Sequence, residues 1–519
     1  MHTTARVDLP SLRELSSLAA ESNPSGEAFA DGVDGRSITW DAFDERSARA
    51  ANALREHVGQ GDRVAFVCEG SVDHVTLWNG GLKAGCLVSN LHVRSSPETM
   101  RDCIDRLRPR VVVLDEEFSE FFEERVYGDI TTDLDAVITT GDPRADYETS
   151  IESALARQPA TEPDVRSREE DLVSVVWTSG TTGQPKGWCL SNRAAVLRGV
   201  KLMGALNISR TTRRVQVLSP SFAAWFTGTV PAMLTASATC FLRTWDPETY
   251  LRVIDEREQT MATLVPTMWR EVLDLDAFGA YDLGSLERIT AAGEQLDATT
   301  LERLRDHVCE RVYNAYAATE MMVTSISERE MDDERIGSVG KPAVGTQVRI
   351  VPEGGPPDAE QPPGEVGEVI VKGPDCPLWA WGDTETTEAA FEDGWWYSGD
   401  LGYKDDEGYL FLEGRSDFVI LSKGIKISPV PIEERLDAHP DVEASAVVGV
   451  DDEEYGEKVT AVVHRGDPEL TAAELDEWCL ESDELARYER PRAYHFRDEP
   501  LPRTATNKLD RQGARSTIE

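Results

Sequence analysis

The sequence predicts an α/β protein with a large N-terminal domain of parallel-rich sheets, a β section, and a small C-terminal α+β domain. Short apolar runs alternate with longer amphipathic stretches over most of the chain. A loop rich in proline, glycine and acidic residues interrupts this rhythm at 353–367, and about a hundred residues follow Gly414. With 519 residues and 40% hydrophobic composition, the chain can bury a large core.

The N-terminal third alternates helix and strand patterns. Residues 41–57 and 74–84 repeat apolar side chains at helical spacing, and the short apolar runs at 63–67 and 110–114 are typical of buried strands. Because helices between apolar strands indicate βαβ units, we expect a largely parallel sheet that is covered on both faces.

The centre of the chain repeats this rhythm before the pattern changes. Strand-like runs recur at 172–177, 215–218, 239–242, 261–265 and 348–351. The loop EGGPPDAEQPPGEVG then separates the apolar runs VRIV and EVIVKG. This arrangement indicates an antiparallel β section.

A domain boundary is predicted near Gly414. The residues beyond it read as a strand, a helix, two strands and a helix, at 418–421, 431–438, 444–450, 458–464 and 471–479. About a hundred residues are enough for an independent α+β unit. We therefore expect an N-terminal domain over 1–413 and a C-terminal domain over 414–519.

The composition is strongly acidic. The chain has 53 basic and 95 acidic side chains, a formal charge of −42, and only ten lysines. Such a surface repels phosphate backbones and anionic membranes, which disfavours nucleic-acid and membrane-surface functions. High salt screens this self-repulsion, so we expect a halophilic protein. Lysine scarcity draws attention to Lys186, Lys423, Lys426 and Lys508.

The cysteines and the N-terminus indicate a reducing compartment. Eight cysteines occur without a CxxC pair, which disfavours a zinc ribbon or a redox dithiol. The N-terminus has no apolar leader, and no apolar run approaches the roughly 18 residues of a membrane span. We expect a soluble, cytoplasmic protein.

The loop TSGTTGQPKG at 178–187 carries the strongest chemical signal. It follows an apolar run and gathers glycines, hydroxyl side chains and a lysine. Backbone N–H groups and hydroxyls in such a loop bind phosphate oxygens, and Lys186 adds positive charge. The spacing is not that of a P-loop, and a flexible Ser/Thr/Gly turn is the plainer alternative.

This loop resembles the phosphate-binding loop of the adenylate-forming superfamily, which includes acyl-CoA synthetases, nonribosomal peptide adenylation domains and beetle luciferases. Further motifs follow in the family's order, so the resemblance covers about residues 25–515. It implies that the loop binds ATP through Thr178, Ser179, Gly180, Thr181, Thr182, Gly183 and Lys186.

Two motifs resemble the family's adenine and magnesium segments. NAYAATE at 314–320 implies that Tyr316 stacks on adenine, Thr319 binds the α-phosphate as a catalytic residue, and Glu320 coordinates catalytic Mg²⁺. A hard carboxylate suits this ion. Ala317 stands where most relatives have glycine. AAGEQL at 291–296 resembles a segment that lines the adenine pocket, through Gly293, Glu294 and Gln295.

Two further motifs resemble the ribose and hinge segments. WYSGDLG contains Asp400, which is implied to bind both ribose hydroxyls, since an ionised carboxylate accepts two O–H bonds. GRSD contains Arg415, implied to reach the ribose and phosphates, and Asp417, implied to be the hinge about which a mobile C-terminal domain turns.

The C-terminal motifs resemble the thiol tunnel and the catalytic lysine loop. SKGIKISP implies a tunnel lined by Ser422, Lys423 and Gly424, and Lys423 replaces a second glycine of the relatives. Lys423 is either a partner of the CoA phosphates or a solvated charge. PRTATNK implies that Lys508 catalyses the first half-reaction, with Asn507 in the place of the family's glycine.

The resemblance implies an AMP-forming carboxylic acid–CoA ligase, an acid–thiol ligase that forms an acyl-adenylate and then a thioester. Its partners would be a carboxylic acid, ATP and CoA as substrates, with Mg²⁺ as the cofactor. A stand-alone enzyme that loads a carrier-protein thiol is the alternative, and a non-catalytic nucleotide- or acyl-binding relative is a third hypothesis. Luciferase-type oxidation has no specific support, and a homo-oligomer is left open.

The acyl pocket is expected in SFAAWFTG at 221–228 and at Ala317. Ala223 stands where amino-acid-activating relatives carry aspartate, and burying an ammonium without a carboxylate is costly, so α-amino acids are disfavoured. The small Ala317 indicates a deep site for a medium-chain aliphatic or aromatic acid. Phe222, Trp225 and Phe226 either line this pocket or belong to the core.

Overall fold

The computed structural model describes residues 9–178, 185–321, 325–326, 335–423, 425–452, 455–482, 485–503 and 509–518, with the backbone alone at 325, 326, 417 and 426. The helices in these residues are α1 Leu15–Ser22, α2 Trp40–Arg55, α3 Val72–Lys83, α4 Pro97–Leu107, α5 Ser119–Arg125, α6 Ile151–Leu155, α7 Asn192–Ala205, α8 Phe226–Thr235, α9 Pro247–Glu256, α10 Pro266–Leu273, α11 Ala298–His307, α12 Thr384–Ala390, α13 Val430–Asp437, α14 Ala472–Leu480 and α15 Arg511–Arg515.

The strands continue the alternation along the chain. They are β1 Glu27–Asp31, β2 Ser37–Thr39, β3 Arg63–Val67, β4 Leu87–Asn90, β5 Val111–Leu114, β6 Ala136–Thr139, β7 Glu148–Ser150, β8 Leu172–Thr178, β9 Lys186–Ser191, β10 Arg213–Gln216, β11 Ala238–Phe241, β12 Met261–Leu264, β13 Arg288–Ala292, β14 Val312–Tyr316, β15 Ser325–Ile326, β16 Lys341–Pro342, β17 Gln347–Val351, β18 Gly367–Lys372, β19 Phe391–Glu392, β20 Trp395–Lys404, β21 Leu410–Arg415, β22 Ile420–Ser422, β23 Ile425–Ile427, β24 Val442–Asp452, β25 Gly456–Arg465 and β26 Ala493–Arg497.

Two parallel-rich sheets form the larger part of the fold. One has the order β7-β6-β5-β3-β4-β8-β9, and its neighbours are parallel except for the hairpin of β8 and β9. The other has the order β16-β15-β14-β13-β12-β10-β11-β1-β2 and is parallel from β14 to β1. The α/β prediction is confirmed, as are the βαβ units that the apolar rhythm indicated.

Helices pack between the apolar faces of these two sheets. One apolar cluster includes Phe66 from β3, Phe29 from β1 and Trp40, Trp78 and Trp225, each buried. Fully burying a large apolar side chain stabilises the fold by about 1.5–3 kcal/mol, so this cluster is a principal source of stability.

Local sequence explains where the helices begin. Thr39, Ser71 and Ser96 each precede a helix and accept a backbone N–H from its first turn with the side-chain hydroxyl. Such caps satisfy donors that a helix leaves unpaired, typically worth about 1 kcal/mol. The caps also explain why the helix predicted at 74–84 begins two residues earlier.

Antiparallel structure follows the two large sheets, as the loop at 353–367 predicted. The order β17-β18-β20-β19, with β21 on β20, defines a five-stranded sheet. A second five-stranded sheet has the order β23-β22-β25-β24, with β26 parallel to β25, and α13 and α14 pack near its apolar residues.

The chain divides into two compact units, one of residues 1–347 and 371–396 and one of residues 348–370 and 397–519. The boundary predicted near Gly414 falls inside the second unit, and the division at 413/414 stays a prediction. Within the described part of the chain, no helix combines the length and the apolarity that a bilayer crossing requires.

Candidate active site

The phosphate-loop segment begins and ends on one hairpin. Thr178 ends β8 and Lys186 begins β9, where the two residues are register partners and the Thr178 hydroxyl donates to the Lys186 carbonyl at 3.4 Å. Because β8 is parallel to β4, this hairpin opens at the carboxyl edge of its sheet, where α/β proteins bind ligands. Ser179, Gly180, Thr181, Thr182 and Gly183 lie outside the described residues.

An arginine that the motif does not contain holds this hairpin. Arg106, at the end of α4, donates to the Pro185 carbonyl at 2.7 Å and stacks over the Trp177 ring at 5.1 Å. The Trp177 indole in turn donates to Ser89 on β4 at 2.9 Å. Both stems of the loop are therefore fixed from α4 and β4.

The predicted adenine segment, 291–296, begins at the end of β13 in the nine-stranded sheet. β13 and β14 are parallel with Ala292 beside Ala315, so the residues after both strands meet at one edge. Gly293 has a φ of 94°, which favours glycine. Glu294 accepts the backbone N–H and the hydroxyl of Thr267 at 3.1 and 2.7 Å. Glu294 thus holds the first turn of α10, and Gln295 is exposed.

The segment after β14 forms a tight turn. Tyr316 is buried at the end of β14, and the N–H of Ala318 donates to the Met321 carbonyl at 2.9 Å. This bond closes the turn that contains Thr319 and Glu320. Both of these residues are partly exposed.

A buried network on α7 supports that turn from behind. Arg198, 1% exposed, donates to the carbonyls of Thr319 and Glu320 at 3.1 and 3.4 Å and to the Asp375 carbonyl at 3.0 Å. Lys201, one turn further, pairs with the buried Asp375 carboxylate. Since α7 directly follows β9, one helix links the phosphate hairpin to the Thr319–Glu320 turn.

The acyl-pocket residues gather on one apolar cluster. Ala223, Trp225 and Phe226 are buried members of it, and Ala317 packs against it. Trp225 lies edge-on to Trp78 at 5.0 Å, so Trp225 is a core side chain. Phe222 is less buried and faces His92, with ring centroids 5.1 Å apart.

In the second unit, the predicted ribose residues form a pair. Asp400 on β20 and Arg415 on β21 are register partners, and Arg415 Nη1 donates to Asp400 Oδ1 at 3.3 Å. The same Nη1 donates to the Ser398 carbonyl at 3.2 Å. Gly399 has a φ of 69°, and a Cβ there would lie 3.0 Å from Arg415 Nη2, so this position favours glycine. The Asp417 side chain lies outside the described part.

The thiol-tunnel motif forms the hairpin of β22 and β23. Ser422 is buried at the end of β22. Lys423 has a φ of 49°, the left-handed conformation that glycine adopts most easily. Its N–H donates to the Tyr455 carbonyl at 2.6 Å and its Nζ lies over the Tyr455 ring at 4.2 Å. Lys423 is therefore packed on an aromatic ring, and Gly424 lies outside the described residues.

Lys508 also lies outside the described residues, but both flanks of its loop are fixed. Arg503 and Leu509 form a β-bridge, and the Asp510 N–H donates to the Pro502 carbonyl at 2.9 Å. Beyond the loop, Arg511 Nε donates to the buried Glu433 carboxylate at 2.8 Å. The residues before and after the loop are thus held together.

The residues present fit a magnesium ion brought by a nucleotide. Mg²⁺ prefers oxygen ligands and is usually held by one or two carboxylates together with phosphates and waters. Glu320 would supply one such carboxylate. Across the residues that the structure describes, no group of three or more His, Cys, Asp or Glu side chains forms an all-protein metal site.

Sequence comparisons identify the family. The model of the AMP-binding enzyme family matches residues 17–376, and that of the AMP-binding enzyme C-terminal domain matches 431–508. A feruloyl-CoA synthase of Amycolatopsis sp. is 30% identical over 92% of this chain and 93% of its own length. A 3-hydroxybenzoate–CoA ligase of Aromatoleum sp. (strain CIB) is 27% identical over 93% and 92%.

Structural comparisons agree on the fold. The anthranilate CoA ligase AuaEII in complex with anthranoyl-AMP superposes with a TM-score of 0.89 at 23% identity, covering 100% of this chain and 99% of its own. ATP-bound MatB from Rhodopseudomonas palustris superposes with a TM-score of 0.86 at 25% identity, covering 98% and 99%.

Proposed function

The chain belongs to the family of AMP-binding enzymes, in the adenylate-forming superfamily, and from this premise we propose that it is an ATP-dependent, AMP-forming carboxylic acid–CoA ligase. One observation carries the proposal. The helix that follows the phosphate hairpin supports the backbone of Thr319 and Glu320 through Arg198. Thr319 and Glu320, the proposed α-phosphate and magnesium residues, are thus linked to the loop at 178–187, which we propose binds the remaining phosphates.

In the first half-reaction, the substrate carboxylate attacks the α-phosphorus of ATP, which gives an acyl-adenylate and pyrophosphate. Charge builds on the phosphate oxygens, so catalysis is mainly positioning and charge stabilisation. Lys186 and Lys508 supply positive charge, and Thr319 donates a hydrogen bond to the α-phosphate. Mg²⁺ held by Glu320 would neutralise further phosphate charge. No general base is needed, because the carboxylate is already ionised near neutral pH.

In the second half-reaction, a thiol attacks the carbonyl carbon of the adenylate. The carbon–sulfur bond forms, the bond from the acyl carbon to the phosphate oxygen breaks, and AMP leaves. We assign the thiol route to Ser422, Lys423 and Gly424, and the hinge to Asp417. CoA is the proposed acceptor, since the relatives are named as CoA ligases and a CoA synthase.

The proposed acid is aromatic or medium-chain aliphatic. Ala223 and Ala317 have small side chains, which leave room for the acid in the expected pocket. Ala223 also offers no carboxylate for a substrate ammonium. Relatives named for 3-hydroxybenzoate, ferulate and indoleacetate favour the aromatic choice.

A product screen tests the proposal. The full chain is incubated with ATP, Mg²⁺ and a panel of aromatic and aliphatic acids, with CoA, with a carrier protein bearing a phosphopantetheine thiol, or with neither. We expect AMP, pyrophosphate and an acyl-CoA in the CoA arm. Thioester on the carrier protein alone, or ADP in place of AMP, would overturn the assignment.

A further inference from the structure

A buried arginine on β10 has no carboxylate partner among the described residues. Arg214 is 3% exposed, and its guanidinium donates to the carbonyl and hydroxyl of Thr227 at 2.5 and 2.9 Å and to the hydroxyl of Thr263 at 3.1 Å. Within the described part of the chain, its Nε has no hydrogen-bond partner. A buried charge is costly unless a countercharge or full hydrogen bonding compensates it.

Burial lowers the pKa of Arg214 to about 10, so the guanidinium stays protonated near neutral pH. A second buried arginine of the same sheet does have a carboxylate partner. Arg288 on β13 is 3% exposed but pairs with Glu287 at 3.1 Å. The Nε of each arginine lacks a hydrogen-bond partner among the described residues, so the two differ in the carboxylate that Arg288 has and Arg214 lacks.

Arg214 lies beside the acyl-pocket segment. Thr227, which accepts two of its hydrogen bonds, belongs to SFAAWFTG at 221–228. The register partner of Arg214 is Met261, a member of the same apolar cluster as Ala223, and Ala317 packs against that cluster. The guanidinium thus lies on the face of the sheet that carries the expected pocket.

Three more polar atoms on this sheet have no partner among the residues that the structure describes, and one of them is Nε of Arg288. Gln216, two residues after Arg214 and hence on the same face of β10, has a buried Nε2 without an acceptor. Thr290, the register partner of Thr263, has a buried hydroxyl without a partner. Amide, hydroxyl and guanidinium donors together form a polar patch that fits an oxygen acceptor.

We propose that Arg214 determines substrate specificity by binding a second carboxylate, at the end of the acid remote from the group that is adenylated. The preferred substrate is then a dicarboxylic acid, aromatic or medium-chain. This inference rests on the proposed function, since it needs the acyl pocket to hold an acid. A guanidinium N–H donates a charge-assisted hydrogen bond to a carboxylate oxygen, and Nε of Arg214 is a donor without a partner among the described residues.

The test compares acids matched in shape. Benzoate is paired with benzene-1,3- and benzene-1,4-dicarboxylate, and hexanoate with hexanedioate, and kcat/KM is measured by pyrophosphate release with CoA present. We expect the full chain to prefer a diacid at least about tenfold, because a hydrogen bond to a charged group is typically worth a factor of this size. Absence of any preference for a diacid would overturn the inference.

Variants then assign the preference to its residue. Arg214→Met is expected to lower kcat/KM for the diacid at least about tenfold and to leave the apolar acid unchanged or improved. Arg214→Lys, which keeps a charge, should retain part of the preference. Arg288→Met is the matched control, and it should leave the ratio of diacid to monoacid unchanged. An unchanged ratio in Arg214→Met would overturn the inference.

Thermal melting separates a binding role from a structural one. Removing an uncompensated charge should leave the melting temperature of Arg214→Met equal or raised. The diacid alone, without ATP, should raise the melting temperature of the full chain but not of Arg214→Met. A lowered melting temperature together with an unchanged acid preference would mark Arg214 as structural. Pyrophosphate release with no acid of any kind would instead refute the proposed function itself.

Discussion

Among single residues, Arg198 fixes backbone, because the hydrogen bonds described for it go to backbone carbonyls. Its guanidinium holds the carbonyls of Thr319 and Glu320, and the neighbouring Lys201 and Asp375 fix the other end of the network. A displaced turn would carry with it the Thr319 hydroxyl and the Glu320 carboxylate, which we propose bind the α-phosphate and Mg²⁺. We therefore assign Arg198 a positioning role.

Replacing Arg198 should impair adenylation through its magnesium requirement. A misplacement of about 1 Å can lower a rate by about 100-fold, so Arg198→Met is expected to lose at least tenfold in pyrophosphate release and to need more Mg²⁺ for half-maximal rate. Arg193→Met, an exposed position on the same helix, is the control. A slower rate with the same Mg²⁺ dependence would contradict the positioning role.

Glu69 makes stability depend on pH near neutrality. Burial raises the pKa of its carboxyl to about 7 from 4.5, and a hydrogen bond with Ser219 and the charge of Arg94 offset only part of this. Between these two pH values, the folded protein keeps a proton that the unfolded chain releases. Stability from this group is therefore present below about pH 4.5 and is lost as the pH rises through 7.

The Glu69→Gln variant should remove that dependence. Relative to the unmodified chain, its urea midpoint should rise between about pH 4.5 and 7 and the difference should level off above this range. Glu124→Gln, at an exposed position, should keep a constant difference over the same range. A constant difference for Glu69→Gln would refute the titration.

At the scale of elements, one ion pair ties the last helix to the rest of the second unit. Glu433 on α13 is 6% exposed and accepts from Arg511 at the start of α15 and from the Val447 N–H on β24 at 2.8 Å. Three elements therefore share one carboxylate. Arg511 is three residues after Lys508, so the pair fixes the chain shortly after the predicted catalytic lysine.

Breaking this pair should be strongly destabilising. Removing one partner of a buried pair typically costs about 3–5 kcal/mol, so Glu433→Met should lower the free energy of unfolding of the second unit by this amount. The double variant Glu433→Met with Arg511→Met should recover most of the loss. Arg515→Met, which removes an exposed pair with Asp451, should change stability by less than about 0.5 kcal/mol. Equal losses in the single and double variants would contradict the account.

Helices and strands with a clear apolar pattern were predictable from the sequence. Ion pairs between residues far apart in the sequence were not. The apolar run at 63–67 is β3, and the helix predicted at 431–438 is α13, one residue displaced. Lysine scarcity drew attention to motif lysines but missed Lys83 and Lys201, which are buried in structural ion pairs. Their partners lie 79 and 174 residues away in sequence, so no local pattern marks them.

The same contrast between local patterns and long-range contacts applies to the candidate site. Its motif residues could be proposed from the sequence, because a motif keeps its residue types at a fixed spacing, and their binding roles stay predictions. Arg106, Arg198 and Arg214 were not, since each acts through a contact that only the folded sheets create. No local pattern marks Arg214, which stands next to Arg213 in β10, RRVQ.

At the scale of the whole molecule, the chain has a formal charge of −42, and the substrates proposed for it include polyanions. The activity of the full chain should fall as KCl is lowered from about 1 M to about 0.1 M, because the Debye length grows from about 3 Å to about 10 Å and self-repulsion is less screened. Pyrophosphate release at constant Mg²⁺ measures this effect. Full activity at the lower salt would contradict the halophilic expectation.

The central claim is that the acid becomes an acyl-adenylate before the thiol attacks. Its most direct test uses an accepted acid labelled with ¹⁸O in both carboxylate oxygens, with ATP, Mg²⁺ and CoA, followed by mass spectrometry of the nucleotide product. The account predicts AMP that carries one ¹⁸O, because the attacking oxygen stays on phosphorus when the thiol displaces it from carbon. Unlabelled AMP, or label in inorganic phosphate with ADP as the product, would contradict it.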